Sequence, residues 1–419
     1  MRRDGVGRAD LEHDGGADPE TVAFAALDGR SRPDGPDRSR SDRRREDRRR
    51  TGRRRVIVLV AAVILLGVVA GGGIAVYRSF FTATPDYPGP GQGDVVVQVH
   101  SGDTTRAIGQ ELLAKGVVAS TAAFTEAAAG DDRVRSVQPG YYRLRQQMSG
   151  TGAVALMLDP ASRLGVLDIR GGVQLDDTRS PDGAVTPGVL SLISKATCGA
   201  DGTCVSVEEL RKAIVTTDPA ALGVPDWALA AVRKAPPERR LEGLLRPARY
   251  DVPPGVPAVD VLKALLKTSV ASFEKAGIEA GAKKIGMKPY DVLVISSLIE
   301  KESIIADMPK VSRVLYNRLG SGQRLQLDTT INYPLDVPTL LTSPGNRAKP
   351  GPYNTYLNAG LPVTPIAAAG ADALSAALAP ADGPWEFFVP CEKDGTSCFA
   401  VTFAEHQANI AKARANGVF

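Results

Sequence analysis
Residues 293–365 read, in order, LVISSLIEKES, NRL, LQLDTT, PYNTY and GLPVTPI. Glutamates on a helix are followed there by loops rich in Asn, Gln, Asp, Thr and Tyr, with closely spaced Gly and Pro. Packing accounts for the apolar residues of this stretch, but not for so many uncharged polar groups and aromatics. The combination suits a cleft that binds a neutral, hydroxyl-rich polymer and transfers one proton, which is what cleaving a glycan requires.

Glu300 and Glu302 are the candidate acids, and their i,i+2 spacing separates them by about 200° on a helix. With Val292 at zero, Ile295, Leu298 and Ile299 fall at about 300°, 240° and 340°, Glu302 at about 280° and Glu300 at about 80°. Glu302 thus lies within the apolar arc, where partial desolvation raises a carboxyl pKa and keeps the proton that a general acid must donate. Glu302 is the expected acid. Glu300 is the alternative, expected at the surface or in support. Taken alone, a Glu-Lys-Glu run is ordinarily a solvated helix face; the downstream residues weigh against that. A two-carboxylate hydrolysis would need a second acid across the bond. Asp328 is the nearby candidate, and with Thr329 and Thr330 beside it, substrate positioning is the preferred role.

The elements that must hold these residues follow from periodicity and capping. Helices are expected over 256–276 and 288–306, the second with Pro289 in its first turn and Asp291 near its cap. Upstream, 95–99 alternates as a strand. Gly102-Asp103-Thr104 turns and caps a helix that runs to Leu113 and stops at Gly116. Ser120 caps a second helix containing Phe124, and Tyr141, Tyr142 and Leu144 mark a returning strand. That is a small β-α-α-β unit over 94–160. A mixed α+β catalytic domain is expected over 161–419, with insertions around 176–240.

At 419 residues the chain can hold two folded units plus tails. Residues 1–55 carry 16 Arg against 12 Asp or Glu, whereas 56–419 carry 35 charges of each sign. A neutral body lacks the basic footprint that nucleic acid demands. The tail over 1–55 has too little apolar surface to offset its ordering entropy and is expected to be disordered. Residues 56–77 carry no charge. At about 1.5 Å rise per residue such a stretch spans a hydrocarbon core of roughly 30 Å. A single transmembrane helix is therefore expected over 56–78, with the Arg-rich tail cytoplasmic, a Pro/Gly linker over 79–93 and the catalytic body outside. A cleaved signal peptide is the competing reading; the length, position and lack of a small-residue cleavage site weigh against it. In that oxidising setting the two local cysteine pairs, Cys198/Cys204 and Cys391/Cys398, are expected to form disulfides. Neither spacing suits a metal knuckle, and only His13, His100 and His406 could supply imidazole, so no metal and no cofactor are expected.

Taken in order, LEGLLRP at 241–247, the IEKES helix, VLYNRL, LQLDTT, PYNTYLNAGLPVTPI and a terminal FAEHQANI resemble the membrane-anchored endolytic murein transglycosylases of the YceG-like (MltG) family. The resemblance spans about 241–406, and the small N-terminal unit is similar to a LysM-like module, a fold associated with glycan binding; a plain packing or spacer domain is the alternative. What the resemblance implies is scission within nascent peptidoglycan strands, between N-acetylmuramic acid and N-acetylglucosamine. The sugar's own 6-hydroxyl would attack, leaving a 1,6-anhydro end and ending strand elongation, with penicillin-binding peptidoglycan synthases as implied partners. It places the catalytic glutamate at Glu302 and substrate binding at Asn317, Gln326, Asp328, Thr330, Tyr353, Asn354 and Tyr356.

The chain departs from the family pattern in three places. Ala248 and Arg249 stand before Tyr250 where Asp and Thr are usual, Ser397 replaces a His two positions before Phe399, and Thr329 replaces the Pro after the loop Asp. A non-catalytic wall-binding scaffold and a water-adding muramidase are the competing functions.

Overall fold
The computed structural model describes residues 58–74, 84–199, 201–335, 337–338 and 342–419. Residues 58–74 form one helix, in a unit separate from the body over 84–419. The transmembrane helix expected over 56–78 is not supported: among the described residues, no helix is long and apolar enough to cross a membrane. The seventeen described helical residues account for about 25 Å, against a hydrocarbon core of roughly 30 Å. The tail expected to be disordered lies outside the described residues. The mixed α+β character of the body stands.

The first part of the body is an antiparallel pair, Pro90–Val99 with Gly140–Met148, in register Val97 to Tyr142 and Val95 to Leu144. Arg163–Leu164 adds a short third strand beside the second. Thr104 caps the helix Thr105–Ala114 by accepting the Ala107 N–H at 3.2 Å, and Ser120 caps Thr121–Ala129 through the Ala123 N–H at 3.1 Å. Val97, Leu112, Val117, Phe124 and Leu144 fill the core between strands and helices. A helix that the sequence did not announce, Gly150–Leu158, packs on Thr121–Ala129. It comes so close that a Cβ on Gly150 would stand 2.3 Å from the Ala123 carbonyl oxygen. The first strand starts at Pro90, inside the stretch read as linker.

The larger core gathers around the helix Pro289–Glu302. Residues 292–299 are all buried, so this helix has no solvent face. Helices Met308–Gly320 and Ala371–Leu378 pack against it, the latter through small residues such as Ala373 and Ala377. Two serines survive inside because their hydroxyls donate back to the helix, Ser296 to the Val292 carbonyl and Ser297 to that of Val294, each at 2.7 Å. The helix ends at Glu302, four residues before the expected stop at 306. Ser303 turns extended, and its hydroxyl donates to the Ile299 carbonyl at 3.0 Å, occupying an acceptor the helix end leaves open. The other long helix runs Ala258–Lys275, within the expected 256–276.

The strands of this part are three separate antiparallel pairs: Val166–Ile169 with Ala248–Asp251, Thr178–Arg179 with Val185–Thr186, and Phe387–Pro390 with Ser397–Ala400. Cys198 is bonded to Cys204, and Cys391 to Cys398 across the last hairpin. Within LEGLLRP, Leu241, Leu244 and Leu245 are buried, and Gly243 adopts φ +72° with its Cβ position 2.5 Å from Pro365. Both the left-handed backbone and the crowding exclude a side chain there. Gly243→Ala is expected to destabilise the body by roughly 1–3 kcal/mol, measured by urea or thermal unfolding.

Candidate active site
Glu302 occupies the end of the buried helix, where its carboxylate accepts a short hydrogen bond from the Thr329 hydroxyl. Burial pushes the Glu302 carboxyl up to about 7; the Thr329 bond opposes the rise and the nearby Asp328 carboxylate adds to it. A carboxyl that holds its proton near neutrality can serve as acid and, once ionised, as base.

Asp328 behaves in the opposite way. It opens the short helix Asp328–Asn332 and accepts from the Thr342 hydroxyl at 2.6 Å, the Tyr356 hydroxyl at 2.6 Å and the Arg347 guanidinium at 2.9 Å. Burial alone would raise its pKa, but these bonds together hold it below the usual carboxylate value. Asp328 is an ionised anchor whose oxygens are already engaged. Arg347 also lies over the Tyr356 ring, 4.9 Å from its centroid. Sequence reading missed Arg347, because a lone Arg in a Pro/Gly-rich loop carries no signal of the carboxylate it meets. Thr329 was noted beside Asp328 and as a departure from the family pattern; here it is the group that touches the acid.

Of the two places expected for it, the surface or a supporting position, Glu300 takes the second. It is half-buried and accepts the Gly370 N–H at 2.9 Å, while a Cβ on Gly171 would collide with its Oε1 at 2.1 Å. Lys301 between the two glutamates reaches the Gly172 carbonyl at 3.3 Å.

The remaining expected substrate residues divide into two groups. Asn317 donates to the Gly383 and Trp385 carbonyls at 3.1 and 2.8 Å, and its neighbour Arg318 donates to the Glu386 and Leu325 carbonyls at 2.6 and 2.7 Å. Asn-Arg of the NRL run thus holds the C-terminal hairpin and the LQLDTT loop in place. Thr330 turns inward to the Leu327 carbonyl and the Thr355 hydroxyl. The Tyr353 hydroxyl meets that of Thr364 at 2.9 Å. Asn354 spans its own turn, donating to the Arg347 and Lys349 carbonyls and accepting from the Tyr356 and Leu357 N–H groups. These four are committed to the scaffold, although Thr330, Tyr353 and Asn354 line a cleft of about 280 Å³ with Ile331, Pro334 and Pro352. Gln326, Tyr356 and Glu302 remain at partly or fully exposed positions. Gln326 has φ +55°, a left-handed conformation that holds its side chain out of the core.

A second buried carboxyl escaped the sequence reading. Glu242, in LEGLLRP, is 2% exposed and accepts the Leu175 N–H and the Tyr333 hydroxyl, the latter at 2.7 Å. Burial pushes it up to about 7 against the lowering effect of those bonds.

Comparison with known proteins decides the family. The family model described as YceG-like matches residues 97–412. This chain belongs to the YceG-like family. A relative from Bacillus subtilis (strain 168) named endolytic murein transglycosylase is 34% identical over 168 residues, which cover 40% of this chain and 46% of the relative. The chain therefore matches a little under half the length of that relative. The crystal structure of a YceG-like protein from Listeria monocytogenes aligns with a TM-score of 0.50 and 24% identity over 76% of this chain and 99% of that one, a likeness of fold.

The two carboxyls give a pH signature with a definite sign. The Glu302 pKa is about 7 in the folded protein against a reference of 4.5, so the fold favours the protonated form. The wild type should lose stability as pH rises from about 4.5 through about 7. Glu302→Gln, which cannot ionise, should therefore match the wild type near pH 4.5 and exceed it at pH 8 by on the order of 2–3 kcal/mol in denaturant unfolding. Thr329→Val removes the bond that opposes the rise, so the Glu302 midpoint, followed by carboxyl NMR titration, should move higher still.

Proposed function
We propose that this YceG-like protein is an endolytic peptidoglycan transglycosylase that cuts between N-acetylmuramic acid and N-acetylglucosamine without consuming water. The observation that carries the reading is the contrast between two neighbouring carboxyls. Glu302 holds a proton near neutrality, while Asp328 is ionised and engaged by three side chains.

In the first step Glu302 donates its proton to the glycosidic oxygen, and the bond to the anomeric carbon breaks. The carboxylate left behind then accepts the proton of the 6-hydroxyl as that oxygen bonds to the anomeric carbon. The acid is regenerated and a 1,6-anhydro end is formed. One carboxyl serves both halves because the proton returns to it. Asp328 adds negative charge beside an electron-poor anomeric centre, and Tyr356, held by Asp328 and Arg347, offers a ring face to a sugar. Gln326 and Tyr356 are the substrate contacts favoured by their exposure; Asn317, Thr330, Tyr353 and Asn354 shape the groove. We further place the catalytic body outside the cytoplasm, where peptidoglycan lies and where the two disulfides are favoured. Termination of strand elongation beside penicillin-binding synthases is the role that accords with such an activity.

Incubation with purified glycan strands, with products resolved by mass, tests the chemistry. Anhydro ends are expected; reducing ends would establish a muramidase, and no release would establish a scaffold. Glu302→Gln should abolish cleavage and Glu300→Gln only weaken it, and the opposite ranking would move the acid to Glu300. Since the first step needs the protonated form, kcat/KM should fall as pH rises through about 7.

A further inference from the structure
Glu242 takes no part in the proton transfers described above, yet it sits where three loops that support Glu302 converge. Its carboxylate oxygens accept the Leu175 N–H at 3.1 and 3.0 Å, fixing the segment that begins at Gly171 and Gly172. That segment in turn packs on Glu300, and Gly172 donates to the Ala368 carbonyl at 2.8 Å. The same carboxylate accepts the Tyr333 hydroxyl at 2.7 Å. The Tyr333 N–H donates to the Thr329 carbonyl at 3.0 Å, closing the turn from which the Thr329 hydroxyl reaches Glu302. Gly243, next in sequence, lies against Pro365, and the Ile366 N–H donates to Ser297 on the acid helix at 3.0 Å. Arg239 covers the Tyr333 ring at 4.7 Å and Tyr353 packs on it at 4.7 Å.

We propose, on the basis of the transglycosylase reading, that Glu242 is a positioning residue: by joining the Leu175 loop to Tyr333 it sets the turn that presents Thr329 to the Glu302 carboxyl. Its own surroundings are Asp176 and Leu175 on one loop, Arg239 on its own segment, and Tyr290, Tyr333 and Tyr353 from the helix and loops opposite. Burying a carboxylate among tyrosines costs desolvation. A position filled only for packing would be served by an apolar side chain, whereas here Oε2 accepts both the Tyr333 hydroxyl and the Leu175 N–H, and Oε1 shares the latter. Gln in its place keeps one such oxygen for both donors but sets an NH2 donor 3.1 Å from the Leu175 N–H, where donor meets donor and the link to that loop is weakened.

The test uses the full chain on glycan strands, with kcat, KM and the pH profile measured for Glu242→Gln and for Tyr333→Phe. Each should lower kcat by roughly tenfold or more while KM changes by less than about twofold, because misplacing the acid affects the reacting geometry more than strand binding. Each should also move the alkaline limb of the profile upward, since a loosened Thr329 bond no longer opposes the raised Glu302 pKa. Adding Thr329→Val to either should produce no further shift. If Glu242→Gln does not fold, Tyr333→Phe, which removes a single hydroxyl, carries the same test. An unchanged kcat, or a lower kcat with an unmoved limb, would overturn the role while Glu302→Gln stays inactive. An active Glu302→Gln enzyme would instead overturn the reading of the site itself, and the positioning role with it.

Discussion
The site depends on a helix that is buried on every side from 292 to 299, up to its last three residues. Residues 292–299 leave Pro289–Glu302 no freedom to rotate or slide, because any movement would expose apolar side chains on one flank and crowd them on the other. Glu300 and Lys301 tie its final turn to the Gly370 and Gly172 backbone. The only residue of that turn left over for chemistry is Glu302. Its raised pKa is a product of burial, and burial at a helix end requires that the neighbouring loops be held as firmly as the helix.

Those loops are held by polar side chains whose groups are spent on backbone. Asn317, Arg318 and Asn354 between them engage carbonyls from three segments. Asp328 gathers Thr342, Arg347 and Tyr356. The result is two nearby carboxyls with opposite tendencies, one whose pKa is raised by burial and one whose pKa is lowered by its donors. Pairs driven apart in this way are how a single pocket separates an acid from a fixed negative charge.

Much of this was legible in the residues. Helix positions followed from periodicity and caps, and the small unit's strands and first two helices from alternation, Thr104 and Ser120. Glu302 was identified through an apolar arc, and the same wheel put Glu300 outside that arc, at the surface or in support, without showing that the backbone it supports, at Gly370, lies 70 positions away. The polar loop residues were recognised as a group, but a sequence does not say whether an Asn faces a ligand or a carbonyl; that depends on backbone brought from elsewhere, as Gly383 and Trp385 are to Asn317. Arg347 and Glu242 were invisible for the same reason, since their partners lie 19 and 91 positions away. The apolar run over 56–77 read as a membrane span by length and lack of charge, whereas the described helix covers only 58–74.

The early stop of the acid helix has an electrostatic consequence. The aligned peptide dipoles of Pro289–Glu302 terminate in uncompensated carbonyls, equivalent to roughly half a negative charge at the C-terminal end. An anion placed there is repelled by the backbone itself, and the Ser303 hydroxyl shields only the Ile299 carbonyl. The helix's own backbone therefore favours the neutral acid and urges reprotonation after each donation, against the Thr329 N–H, which lowers the Glu302 pKa. Had the helix continued to 306, that pressure would have fallen on a different residue.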